Sequence, residues 1–165
     1  REPPAMHNCS RILPRGEPWS PSTRISALST PLRSTASSWR NYSPYVTLLK
    51  LSDEEVEFLG DDLISQVPIV VVTRCGEGFS VQAGETKLNV PAAQVPVTDT
   101  IGAGDTIMAA LLTQFDERGL DSSALAQLGA AEWKELLSFA AAAAGITVSR
   151  KGANPPRREE VESSI

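Results

Sequence analysis

Regular apolar patterning begins only near Tyr45, and this seam limits how much of the 165-residue chain can enter a folded core. Upstream, residues 1–44 hold six Arg, two Glu, seven Pro and nine Ser with no Lys or Asp, a net charge of +4. Proline or serine interrupts every apolar cluster there before a helix or strand period is established. The segment is expected to be disordered. The remaining 121 residues carry a net −9 within the chain's total of −5 and amount to about one domain.

Composition removes several functions. An acidic balance with 21% charged residues does not suit a nucleic-acid binder that works by neutralising phosphates. Two cysteines, Cys9 and Cys75, make neither a disulfide framework nor a four-cysteine zinc site, and a reducing, cytoplasmic setting fits them best. No run reaches the roughly 18 apolar residues of a membrane span, and no apolar signal core opens the chain, so no membrane partner is expected.

Beyond the seam the pattern is that of an α/β fold. The apolar run 46–51 leads into an acidic helix opened by Ser52-Asp53-Glu54-Glu55 and ended near Gly60. Ile69-Val70-Val71-Val72-Thr73 is continuous and β-branched, as in a strand covered on both faces, with Pro68 at its start. Strands at 79–82 and 86–90 flank Ala83-Gly84-Glu85 as a hairpin at the sheet edge. Helices are expected at 106–115, 120–128 and 131–144, the last stopped by Gly145, and Ile146-Thr147-Val148 is too short to define a strand.

The chemistry concentrates in Asp99-Thr100-Ile101-Gly102-Ala103-Gly104-Asp105-Thr106. Gly102 and Gly104, on either side of Ala103, let backbone N–H groups converge at a helix start, where the helix dipole favours an anion. Asp105 would then stand beside a bound phosphate, placed to accept a proton from a hydroxyl. The bland alternative is a tight turn with Asp105 as a helix cap.

The whole string, preceded by V-P-V-T and followed by a small-residue helix, resembles the C-terminal signature of the ribokinase (PfkB) family of carbohydrate kinases. Fructokinases and 2-keto-3-deoxygluconate kinases belong to that family. The resemblance implies the C-terminal part of a ribokinase-like three-layer α/β/α fold, with Asp105 as catalytic base and Gly102, Ala103 and Gly104 as the anion hole. It also implies ATP, Mg2+ and in some members a monovalent cation as cofactors, with a small sugar as substrate.

Flanking segments resemble the same family. Lys50-Leu51-Ser52-Asp53-Glu54-Glu55 is similar to its strand-to-helix motif, which implies that Glu55 tethers metal-bound water; S-x-x-E is equally a capping box. Thr73-Arg74-Cys75-Gly76-Glu77-Gly78 is similar to a T-x-G-x-x-G nucleotide segment, with Cys75 replacing the first glycine, and implies nucleotide contacts at Thr73, Gly76 and Gly78. The alanine-rich stretch around Ala141 and the G-A-x-P of Gly152 and Ala153 imply an adenine site, although an alanine-rich helix is also simply a good helix former.

The resemblance spans residues 45–163, and family members are about twice as long; their N-terminal half brings the sugar pocket and the lid through which members often dimerise. Its absence is expected to leave Ile69–Thr73 short of cover. A family strand ending in D-P-N-x-R is also missing, yet back-translation of residues 17–27 read two nucleotides later permits T-V-V-S-L-D-P-N-I-R, which marks residues 1–44 as an out-of-frame translation. Two functions follow: an ATP-dependent sugar kinase of fructokinase type, or a kinase remnant that at most binds nucleotide. An unrelated dehydrogenase fragment is disfavoured by the missing third glycine.

Overall fold

The computed structural model describes residues 10–12, 26–28 and 46–165. Within the first 44 residues, β1 (Ser10–Ile12) and β2 (Ser26–Leu28) pair antiparallel, so these two triplets form strands where no regular structure was expected. Cys9 and the rest of that stretch lie outside the described residues.

The folded part is built on one mixed sheet. Strands β3 (Leu48–Ser52), β4 (Ile69–Thr73), β5 (Phe79–Ala83) and β6 (Thr86–Val90) lie in that order, with β3 parallel to β4 and the others antiparallel. The expected hairpin is present with a shorter loop: Ala83 pairs with both Thr86 and Ile69, which leaves Gly84-Glu85 as the turn.

Alternation along the strands sorts side chains into two cores. Leu48, Ile69 and Val71 face helices α3 (Ala103–Glu117) and α5 (Ala130–Val148), in a core that also holds Leu111, Phe115, Trp133 and Leu137. Leu49, Leu51 and Val70 point the other way, where α1 (Asp53–Leu59) and α2 (Asp61–Ile64) contribute Val56, Leu59 and Ile64. These are the three layers of an α/β/α fold. Residues 69–71 of β4 are at most 5% exposed and Val72 and Thr73 are half-buried, so over residues 69–71 the expected loss of cover does not occur: helices on both faces and both flanking strands come from this chain.

Helix α3 begins at Ala103, ahead of the expected start at Thr106, because Gly102 turns the chain directly into it. Asp121 Oδ1 accepts from the Ala124 N–H at 2.8 Å to cap α4 (Ser122–Gln127). Gly145 does not stop α5, which runs on through Val148. A Cβ at Gly145 would lie 2.6 Å from the Ala93 Cβ, so this glycine permits close packing of the helix on residues 93–95. The short α6 (Arg158–Glu162) closes the described chain, its Arg158 paired with Glu117 of α3 and with Glu162. Among the described residues no helix is long and apolar enough to cross a membrane.

Candidate active site

Ser52 and Thr73 end the parallel strands β3 and β4 side by side, at the usual ligand edge of an open α/β sheet. Gly102 takes the left-handed conformation (φ 82°) as N-cap of α3, with no side chain capping the helix. The Ala103 N–H turns back to the Thr100 carbonyl at 3.3 Å, and the first helical bond is Thr106 N–H to Gly102 O at 2.9 Å. The N–H groups of Gly104 and Asp105 stand ahead of that ladder, as orphan donors at a helix start. Asp105 is exposed in the first turn and does not perform the capping that offered its bland explanation.

Asp99 ties this turn to a distant one. Its Oδ1 accepts from the Ile101 N–H at 3.0 Å, and its Oδ2 from the Gly152 N–H at 2.9 Å. These bonds hold its carboxyl below the ordinary carboxylate range, the one from Ile101 contributing most. Ala153 is thereby brought against Gly102, whose added Cβ would come within 3.0 Å of the Ala153 Cβ. Behind them the N–H groups of Thr98 and Asp99 bond the Val148 carbonyl at 2.7 and 3.1 Å, and the Thr106 and Thr147 hydroxyls meet at 3.0 Å. The anion-hole segment and the Gly152-Ala153 turn thus form one unit. The motif alone shows no role for Asp99, because its second partner is 53 residues away.

The capping box at Ser52 is fully formed. Glu55 Oε2 accepts from the Ser52 N–H at 2.7 Å, and Ser52 Oγ accepts from the Glu55 N–H at 3.3 Å. Glu55 is buried, and its carboxylate and that of Asp105 both act electrostatically on Lys50, a residue with no role in the sequence motifs. Burial holds the Lys50 pKa below the ordinary lysine value, with Glu55 and Asp105 offsetting part of that effect. The signal available in the sequence was a lysine set between leucines in an apolar strand. Among the described residues no three acidic, His or Cys side chains gather as a metal cage. Mg2+ commonly rests on one or two carboxylates, water and substrate phosphates, and Glu55 is the carboxylate that the resemblance offers, here buried in the capping box.

The nucleotide candidates separate. Thr73 ends β4 level with Ser52 and donates its hydroxyl to the Leu51 carbonyl at 3.2 Å. Cys75 itself takes the left-handed conformation (φ 46°), which an L-residue rarely adopts. Gly76 is exposed, whereas Gly78 is buried against the Val90 carbonyl. Ala141 is buried in the core between α3 and α5. The described geometry joins Gly102, Gly152 and Ala153; Asp105 and Glu55 share an electrostatic influence on Lys50.

Comparison with known proteins identifies the family. Residues 22–160 match the family model described as "pfkB family carbohydrate kinase", a span that begins upstream of residue 45, where the sequence motifs start. A fructokinase of Solanum tuberosum is 31% identical over 136 residues, which take in 76% of this chain and 41% of that protein. The crystal structure of a fructokinase with bound ATP from Xylella fastidiosa superposes with a TM-score of 0.72 at 26% identity, covering 88% of this chain and 48% of that one. A ribokinase from Thermotoga maritima gives a TM-score of 0.60 at 26% identity over 73% of this chain and 42% of its own. The chain therefore spans less than half the length of these relatives, and it belongs to the pfkB family of carbohydrate kinases.

Proposed function

We propose that this chain is the phosphate-binding and proton-accepting part of an ATP-dependent sugar kinase of fructokinase type. The observation that carries this reading is the start of α3, a long helix with no side-chain cap, entered through a left-handed glycine and bearing an exposed aspartate in its first turn. The orphan N–H groups there suit the charge that spreads over a phosphoryl group in transfer. Asp105 accepts the proton of the attacking sugar hydroxyl. Asp99 keeps the Gly152-Ala153 turn beside the cradle, on the side the resemblance assigns to the nucleotide. Bound Mg2+ and ATP supply charge neutralisation and the transferable phosphoryl group, with Glu55 holding a water at the metal. The substrate class is a furanose or keto-sugar acid with a free primary hydroxyl.

A second reading, a remnant that binds nucleotide without turnover, is favoured by the left-handed Cys75 in the position of a family glycine. The two separate in a full-length kinase carrying this segment. There Asp105→Asn is expected to lower turnover by about 10² to 10⁴ while nucleotide affinity is kept, the usual loss on removing a general base. Wild-type turnover in that variant would remove Asp105 from the base role.

A further inference from the structure

No buried residue places the turn that sets Ala153 against Gly102. Residues 151–157 are all exposed or half-buried, and Gly152, left-handed at φ 72°, would offer an added Cβ no neighbour within 4 Å. The turn is tied to the motif by the Gly152 N–H bond to Asp99 at 2.9 Å and closed on itself by Asn154 N–H to the Gly152 carbonyl at 2.8 Å. A backbone bond with so little packing around it opens locally, without the rest of the fold.

The chain beyond the turn supplies a second anchor. Helix α6 is firmly seated: Val161 is 2% exposed in the larger core, and Arg158 pairs with Glu117 at the end of α3 and lies 5.9 Å over the Phe139 ring of α5. From that seat Glu160 uses both carboxylate oxygens. Its Oε1 takes the Arg150 guanidinium, and its Oε2 accepts from the Arg157 N–H at 2.7 Å. Arg150 and, after it, the Arg157 N–H hold the Glu160 carboxyl below the ordinary carboxylate range, so the pair is ionic at neutral pH. Arg150 directly follows the last turn of α5, its own N–H bonded to the Thr147 carbonyl at 3.1 Å. The pair therefore bridges residues 151–159 and closes them into a loop at its base, beside Gly152.

We propose that α6 is a strap on the Gly152–Ala153 turn, and that Glu160, acting through Arg150, is the positioning residue that keeps this turn against Gly102. A part-exposed ion pair adds little to the stability of a whole fold. Here it has only to hold a turn that packing leaves free. The proposal stands on bonds within the chain and goes beyond the phosphoryl-transfer reading, so either can fail without the other.

The test is site-resolved amide exchange on the full 165-residue chain, with the N–H of Val71 in the central strand β4 as the reference for global opening. Glu160→Gln keeps the side chain's size and an acceptor for the Arg157 N–H but removes the charge that faces Arg150. Gly152 exchange is expected to quicken about fivefold relative to Val71, the upper range for a part-exposed ion pair. Arg150→Gln is expected to give the same ratio, and the double variant to exchange no faster than either single one, because two residues that act as one pair are not additive. Unchanged Gly152 exchange in Glu160→Gln overturns the proposal. Equal quickening at Val71 also overturns it, as a general loss of stability, and additive effects in the double variant overturn it by detaching Glu160 from Arg150. If Glu160→Gln does not fold, Arg150→Gln decides on the same ratio: quickening of about fivefold supports the strap, and an unchanged ratio refutes it.

Discussion

Gly102 does two things that no other residue can do together. It holds a positive φ of 82°, and it leaves room for Ala153, whose Cβ would be 3.0 Å from a Cβ placed there. Gly102→Ala is expected to destabilise the chain by roughly 1–2 kcal/mol, the cost of the left-handed region for an L-residue, with the tight contact adding to it. A lower denaturation midpoint at unchanged slope would register this. Asp99 adds a pH dependence. Its folded pKa lies below the ordinary 3.8, so the tether is fully present above that value and is lost as pH falls through the depressed one. The Gly152 amide signal is expected to shift and its exchange to quicken on acidification below about 3.8, and Asp99→Asn is expected to abolish that dependence. Gly102 and Asp105 were legible because a helix start is a local feature. Asp99 and Lys50 were not, since each takes its meaning from partners on other elements, Gly152 for one and Asp105 for the other.

Among elements, those with their own punctuation were legible and those set by packing were not. Ser52 and Glu55 announce α1, and the β-branched run announces β4 as a central strand. The end of α5 was misplaced because glycine usually closes a helix, whereas Gly145 is buried mid-helix beneath residues 93–95. Two effects compete at that position. Gly→Ala in a helix interior gains about 1 kcal/mol of propensity, but overpacking a filled contact costs about 1–3 kcal/mol. The obstructing atom at 2.6 Å is the short, inflexible Ala93 Cβ, so the steric cost wins. Gly145→Ala is expected to be net destabilising by about 1 kcal/mol, measured by thermal unfolding; a raised midpoint would show that the 93–95 segment yields instead. That segment leads into Thr98 and Asp99, so amide exchange at Ile101 and Gly152 is expected to quicken in the same variant.

At the scale of the whole molecule, β4 carries helices of this chain on both faces, and residues 69–71 lie buried between the two cores. A central strand between helical layers could be read from an apolar run with acidic and alanine-rich helices around it; the cover it receives could not, since the sequence led to the expectation of an exposed strand. A complete substrate site could not, because the relatives are more than twice as long as the aligned segment: 41% of the potato fructokinase and 48% of the Xylella enzyme are matched. Phosphate binding needs only the local backbone at Gly102 to Asp105. Proton transfer needs more, since Asp105 must meet a hydroxyl within about 3 Å, and holding that hydroxyl in line is worth about 7–11 kcal/mol of the barrier. Asp105 stands exposed at the end of α3, and the resemblance places the sugar pocket and lid in the N-terminal half of family members. The 165-residue chain is therefore expected to bind ATP or tripolyphosphate yet release no ADP in response to a sugar. A coupled ADP assay over hexoses and keto-sugar acids, run beside calorimetry on the same preparation, separates binding from turnover. Sugar-dependent turnover by the purified chain would show that a pocket can be completed without that half, while absence of both binding and turnover would show that the cradle itself depends on it.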